Sequence, residues 1–193
     1  MPTENAPFGF MPIRTRSGAK QPQYEIREGA IPSGYGTAMY TNQMIKLVTG
    51  GTIQPAAAGD RVLGTFAGCE FVDSDGRVRV SSYWPASQTI LTGTSVTVYY
   101  YSAQETVYRV QADGTLAITS VGDQADLSNA TDANTTAGLS QQTLSTTLAG
   151  AAGNAQFRIL KLGEDVDNAW GDTYVIVDVE ISEHQYTADV AAI

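Results

Sequence analysis

The sequence predicts an all-β protein: an antiparallel β-barrel or sandwich with an extended N-terminal arm, one long polar loop and at most a short helix. Several short segments alternate apolar and polar residues with a period of two, which is typical of strands with one buried face. Turn-forming residues, mainly Gly, Asp, Asn and Pro, separate these segments. No helical segments alternate with the strands, so a parallel α/β sheet is not expected.

The first 34 residues are predicted to form an extended arm, followed by a β domain from residue 35 to residue 193. The arm is rich in proline, which removes helical hydrogen bonds and clashes with the preceding turn, so a helix is not expected there. The arm also carries four apolar residues, Phe8, Phe10, Met11 and Ile13. Such side chains must pack on a surface, and the sequence leaves open whether that surface is the chain's own domain or a neighbouring chain.

Two hairpins are predicted between residues 46 and 81. The first turns at Gly50 and Gly51, and the second turns at residues 73–76, an Asp-Ser-Asp-Gly segment that suits a tight turn. The strand before the second turn contains small residues at Gly64, Ala67 and Gly68. Small residues inside a strand indicate a bulge or a tight bend, where a side chain would collide with the neighbouring backbone.

Five further segments are predicted to be strands. Residues 94–101 alternate strongly, with Val96, Val98 and Tyr100 on the face expected to be buried. Two short strands are expected at residues 106–111 and 115–118, around a turn at 112–114. Residues 156–162 and 173–182 carry the clearest pattern, and in the latter one face is apolar: Val175, Val177, Val179 and Ile181.

Residues 122–153 differ from the rest, because they are poor in charge and rich in Ser, Thr, Asn, Ala and Gln. They are predicted to form a long polar loop. A connection of this length inside a compact domain is either functional or partly ordered. A short helix is expected within it, from Leu139 to about Ala149, although the leucine spacing fits a helix poorly.

The overall charge argues against a nucleic-acid or membrane partner. The formal net charge is −9, and the chain has no basic stripe of the kind that nucleic-acid-binding proteins carry. No apolar run is long enough for a transmembrane helix. The N-terminus also lacks a signal peptide, so the chain is expected to be made in a cytoplasm without export by a recognisable route.

The residues that usually carry catalysis or bind metals are scarce. His184 is the single histidine and is interpreted as a surface or sheet-edge residue, while Cys69 is interpreted as a small buried apolar residue. One His and one Cys cannot supply a tetrahedral zinc site. An acidic group at residues 164–167, with Asp172, suits a solvated loop better than a weak cation site. We therefore expect no enzyme activity, no cofactor and no metal, although a pair of distant carboxylates could still meet in a cleft.

Aromatic residues cluster in two places, at Tyr83 and Trp84 and again at residues 99–101. They suit core and cross-strand packing, because aromatic side chains bury large areas. The alternative is a patch at a subunit interface, where Tyr and Trp are enriched. The candidate interface residues are Phe8, Phe10, Met11, Ile13, Tyr83 and Trp84.

Several segments in the same order resemble the head-decoration (cement) proteins of tailed-phage capsids. They are residues 5–10 (Asn-Ala-Pro-Phe-Gly-Phe), 51–60, 64–71 (Gly-Thr-Phe-Ala-Gly-Cys-Glu-Phe), 82–86 (Ser-Tyr-Trp-Pro-Ala), 125–127 and 156–160. Residues 59–68 are also similar to the small barrel of the trimeric head-stabilising proteins.

The resemblance implies a structural virion protein on the outer surface of an assembled phage capsid. Such a protein clamps neighbouring major capsid subunits and stabilises the shell by binding the assembled form. It implies a homo-oligomer, with a trimer favoured and a dimer possible, and an arm bearing Phe8 and Phe10 that adds a strand to a capsid sheet or a neighbouring protomer. The alternative is a carbohydrate- or receptor-binding β module of a phage fibre or a lectin-like protein.

Overall fold

The structure is a computed structural model that describes residues 4–18, 22–102, 104–150 and 153–187. These residues contain fourteen strands and one short turn of 3-10 helix at Ile118–Ser120. The strands are β1 (Met11–Thr15), β2 (Glu25–Glu28), β3 (Met44–Leu47), β4 (Ile53–Pro55), β5 (Gly64–Val72), β6 (Val78–Ser81), β7 (Thr97–Tyr101), β8 (Thr106–Gln111), β9 (Gln124–Ser128), β10 (Ala133–Asn134), β11 (Leu139–Ser140), β12 (Thr143–Leu148), β13 (Phe157–Leu162) and β14 (Ile176–Ile181).

Two antiparallel sheets pack as a sandwich, which confirms the predicted fold class. The first sheet has the strand order β1-β8-β14-β13-β9-β12. The second has the order β2-β7-β5-β3-β4. β6 also pairs with β5, on the same side as β3 but at the opposite end of the strand. A small third sheet consists of β10 and β11.

The predicted hairpins form because their turns are locally encoded. The backbone N–H of Gly76 donates to the carbonyl of Asp73 at 2.9 Å, which closes the turn between β5 and β6. Gly51 and Gly50 both adopt positive φ between β3 and β4. The register of β5 on β7 shifts between Phe66 and Gly68, so the predicted bulge is confirmed.

The apolar side chains form two separate cores. The first core lies against the first sheet, from which Tyr108 and Phe157 contribute the largest side chains. It also contains Met44 of β3, in the second sheet, and Val62, which lies just before β5. The second core lies against the second sheet and contains Trp84, together with residues of β3, β5 and β7. Val96, Val98 and Tyr100 all face this second core, as the alternation in β7 predicts.

The N-terminal segment is part of the sandwich instead of a separate arm. β1 pairs with β8 from Met11 to Thr15, and β2 pairs with β7 from Glu25 to Glu28. Each therefore forms the edge of one sheet. The expected boundary at residue 34 does not separate an arm from a domain, because both strands gain backbone hydrogen bonds on the chain's own sheets.

Strands occupy half of the residues that the structure describes between 122 and 153, so the segment is not the single long polar loop that the composition predicts. It contains β9, β10, β11 and β12. The helix expected from residue 139 to residue 149 is absent, and β12 pairs with β9 there. Threonine is β-branched and favours strands over helices, so Thr143, Thr146 and Thr147 are consistent with this result.

The strand expected at residues 115–118 is also absent, because the chain there leads into the 3-10 turn at Ile118–Ser120.

Candidate functional site

One surface of the second sheet exposes a group of apolar and aromatic side chains. Alternation along β7 points Tyr99 and Tyr101 away from the second core, because Val98 and Tyr100 point into it. Cross-strand pairing brings the exposed side chains of Ile26 on β2 and Val80 on β6 to the same side. We call the surface formed by Tyr24, Ile26, Val80, Tyr99 and Tyr101 the tyrosine face.

Several side chains of the tyrosine face are strongly exposed and lie next to one another. Val80 is 75% exposed, Ile26 is 64% exposed and Tyr24 is 54% exposed. Single exposed apolar residues are normal, but a contiguous group of them marks an interaction surface. The tyrosine face is therefore the candidate functional site of this chain.

A groove of about 480 Å³ crosses the tyrosine face. Tyr24 stands edge-on to both neighbouring rings, at 5.5 Å from Tyr99 and 6.3 Å from Tyr101 between ring centroids. Ala67 and Gly68, the small residues of the β5 bulge, also line the groove. A Cβ on Gly68 would lie only 2.8 Å from the carbonyl oxygen of Ser81, so the bulge requires glycine there.

One carboxylate lies beside this groove. The hydroxyl of Tyr99 donates to Oε2 of Glu70 at 3.1 Å. This hydrogen bond, and to a smaller degree desolvation, raises the pKa of Tyr99 above its ordinary value. The site thus presents aromatic rings together with a carboxylate that can still accept hydrogen bonds from a partner.

Two of the six residues predicted to lie at an interface, Phe10 and Trp84, are instead buried in the cores of this chain. Phe10 is fully buried and stacks on Phe157 at 4.4 Å between centroids. Trp84 is fully buried and meets Phe71 edge-on at 5.3 Å. Both side chains complete the chain's own cores, so neither is available to a partner.

The other four predicted interface residues are at least partly accessible, but they lie outside the tyrosine face. Met11 is 37% exposed and Tyr83 is 36% exposed, whereas Phe8 and Ile13 are half-buried. Tyr83 stacks on Tyr40 at 6.2 Å. The sequence singled out residues 99–101, but it gave no local signal that Tyr24 and Ile26 would lie beside them.

Neither Cys69 nor His184 is placed for reaction chemistry at the surface. Cys69 is fully buried, as expected, and burial raises its pKa to about 12. His184 is only 2% exposed, so the interpretation of His184 as a surface residue, one of the two alternatives, is wrong. Its Nε2 donates to the carbonyl of Ser102 at 2.9 Å, and its Nδ1 accepts from the backbone N–H of Tyr186 at 3.1 Å.

This geometry makes stability depend on pH below neutrality. A proton on Nδ1 of His184 would face the N–H of Tyr186, and burial, the largest cause, lowers the pKa of His184 below its ordinary 6.5. The unfolded chain therefore binds this proton more readily, and the free energy of unfolding should fall as the pH drops below 6.5. The free energy of unfolding, measured with urea between pH 7.5 and pH 5, should depend less steeply on pH in His184→Gln than in the wild-type chain. Equal slopes in the two proteins would contradict the prediction.

The acidic loop after β13 is held by basic side chains. Glu164 pairs with Lys161, and Asp165 pairs with Arg109 at 3.3 Å. Arg109 also donates to the fully buried Asp178 at 2.9 Å. Among the residues that the structure describes, no three His, Cys, Asp or Glu side chains converge on a possible metal position.

A second groove of about 720 Å³ lies beside this acidic loop. Ile118, Val121, Leu162 and Trp170 form its apolar wall. Its polar rim includes Lys161, Glu164 and Asp165, whose charged groups are engaged in ion pairs within the chain. The tyrosine face is the better candidate, because three tyrosine rings line its groove, whereas the second groove has the single ring of Trp170 beside charged side chains that form ion pairs within the chain.

No protein-family model, no curated protein and no solved structure matches this chain. In the described part of the chain, no helix is long and apolar enough to cross a membrane.

Proposed function

We propose that this chain is a structural virion protein that binds the outer surface of an assembled phage capsid. It would clamp neighbouring major capsid subunits and is made in the host cytoplasm. The observation that carries the proposal beyond the sequence resemblance is the tyrosine face. A contiguous aromatic and aliphatic surface on a sheet suits a protein interface, because Tyr side chains contribute large contact areas at low entropic cost.

The proposed mechanism is linkage between binding and assembly. A protein that contacts two adjacent capsid subunits binds the shell and not the free subunits, so each bound copy adds its binding free energy to the stability of the shell. The sandwich suits this role because the buried second core holds the sheet behind the tyrosine face. A rigid surface loses little entropy on binding.

Placing a charge on the tyrosine face tests this proposal. Val80→Lys should lower the affinity for purified capsids that lack this protein by about tenfold or more, because a buried interface position does not tolerate an unpaired ammonium group. Occupancy on the capsids, measured by quantitative gel analysis after sedimentation, reports the affinity. Capsids decorated with the wild-type chain should also release DNA at a higher temperature than those with the variant.

The matched control is Val166→Lys, because Val166 is 86% exposed and lies on the acidic loop after β13, outside the tyrosine face. It should bind like the wild-type protein. Undiminished occupancy by Val80→Lys would remove the tyrosine face as the capsid contact, and no binding by the wild-type chain would refute the proposed function itself.

The groove on the tyrosine face favours one second candidate, a carbohydrate-binding module. Sugar rings pack on aromatic side chains, and the carboxylate of Glu70 could accept hydrogen bonds from sugar hydroxyls. Calorimetry of the isolated protein with oligosaccharides from the host surface distinguishes the two functions. Binding that Tyr101→Ala abolishes would favour the carbohydrate-binding module over the capsid protein.

A further inference from the structure

Among the strands that the structure describes, five lie at the edges of the two large sheets, namely β1, β2, β4, β6 and β12. β1 contains Pro12 and a register shift, β4 ends at Pro55, and β12 has a register shift between Leu144 and Leu148. Prolines and bulges prevent an edge from pairing with another chain. β2 has neither device, and its register on β7 is continuous from Glu25 to Glu28.

The backbone of β2 has unpaired groups on its outer side. The N–H of Gly29 donates to the carbonyl of Val96 at 2.8 Å, which fixes the phase of the β2–β7 ladder. In an antiparallel pair, hydrogen-bonded and non-hydrogen-bonded positions alternate. The N–H and C=O groups of Ile26 and Glu28 therefore point away from β7, towards an edge where no other described strand pairs.

The residues of β2 are complementary to themselves in an antiparallel arrangement. A two-fold axis through Ile26 places this residue opposite Ile26 of a second copy. Glu25 then lies opposite Arg27 of the second copy, and the reverse pair forms on the other side of the axis. Opposite charges directly across an antiparallel pair are stabilising.

We propose that β2 pairs with β2 of a second copy of this chain across such a two-fold axis. The pairing joins the two second sheets into one continuous sheet and hydrogen-bonds the free groups of Ile26. It also brings together the exposed side chains of Tyr24 and Ile26 from both copies, so that the two tyrosine faces become one surface. Two-fold dimers are the commonest closed assemblies.

Two of the three charged side chains of β2, those of Glu25 and Arg27, are already held in place within each chain. Nε of Arg27 donates to the carbonyl of Gly51 at 3.1 Å, and the hydroxyl of Tyr100 donates to Oε2 of Glu25 at 3.2 Å. Both lie on the side of β2 away from Ile26. Held side chains lose less entropy when an ion pair forms.

The other continuous edge, β6, lacks this complementarity. Arg79 lies within β6, Arg77 directly precedes it, and the strand contains no acidic residue. Pairing β6 with its own copy would gather four arginines without opposing acids in the strands. The charges therefore favour β2 as the self-pairing edge.

Sedimentation equilibrium of the isolated full chain tests the proposal, with no capsid present, so its outcome is independent of the proposed function. The mass should rise from monomer to dimer between roughly 10 µM and 500 µM protein. Glu25→Arg and Arg27→Glu should each raise the dimer dissociation constant about tenfold or more, because each places like charges opposite one another. Mixing the two single variants should restore dimers, since each mixed pair again joins Arg to Glu.

Arg77→Glu is the matched control, because it makes the same charge change at an exposed position beside β6. It should dimerise like the wild-type chain. Circular dichroism confirms that each variant is folded. If Arg27→Glu does not fold, Glu25→Arg alone and Ile26→Lys carry the test, and both should be monomeric.

A wild-type chain that stays monomeric at the highest concentration would overturn the proposal. A trimeric mass would overturn the two-fold pairing, and so would single variants that dimerise as tightly as the wild-type protein.

Discussion

Alanine in place of Gly64 is expected to lower the free energy of unfolding by about 3 kcal/mol or more. A Cβ at this position would lie 1.9 Å from the carbonyl oxygen of Tyr101, which is backbone and cannot rotate away. Gly64 also has a φ of 153°, a conformation that side chains strain. Relieving the collision would require β5 and β7 to separate at the centre of the second sheet.

Comparing the free energies of urea unfolding of Gly64→Ala and Gly93→Ala separates the cost of the collision with Tyr101 from the cost of placing alanine at positive φ. Gly93 also has positive φ, at 86°, but a Cβ there meets no atom within 4 Å. Gly93→Ala should therefore lose only about 1 kcal/mol, the ordinary difference for a left-handed residue. Similar losses in the two variants would contradict the close approach of β5 to β7.

Leucine in place of Gln142 should also destabilise the fold strongly, by about 3 kcal/mol. The Gln142 side chain is fully buried, and its Oε1 accepts from the backbone N–H of Met44 at 2.7 Å. Its Nε2 donates to the carbonyl of Ala130 at 3.0 Å. Leucine has a similar volume, so the loss comes from the buried N–H of Met44 that remains without an acceptor.

Gln104→Leu is the control for this substitution, because Gln104 is exposed in the turn before β8. Its free energy of unfolding should change by no more than about 0.5 kcal/mol. Unfolding monitored by tryptophan fluorescence measures both variants. If Gln142→Leu were as stable as Gln104→Leu, the amide of Gln142 would not be the connection between the strands that the structure indicates.

The glutamine contacts also explain why the segment 122–153 was predicted wrongly. Gln124 and Gln142 carry polar side chains that are typical of loops, yet both are fully buried. Oε1 of Gln142 accepts from the backbone N–H of Met44, which lies almost a hundred residues earlier. A polar side chain becomes a core residue when distant backbone groups satisfy it, and no local pattern shows that those groups are near.

The candidate site was only partly predictable for a related reason. Alternation in β7 indicated that Tyr99 would lie on the face opposite to Tyr100, and this is confirmed. By contrast, Phe10 and Trp84 were placed at an interface because aromatic residues suit interfaces and cores alike. Contacts with residues distant in sequence decide which aromatic side chains are covered: Phe10 stacks on Phe157, and Trp84 pairs with Met39 across an isolated β-bridge.

The sequence by itself determined the strands and hairpins whose signals are local. Period-two alternation and turn residues such as Asp73 and Gly76 act over a few neighbouring residues, so they can be read without knowing the fold. The tertiary structure decided which strands became edges, which polar side chains were buried, and that Tyr24 lies beside Tyr101. These features depend on contacts between residues far apart in the chain, whose energies become favourable only once both sheets have formed.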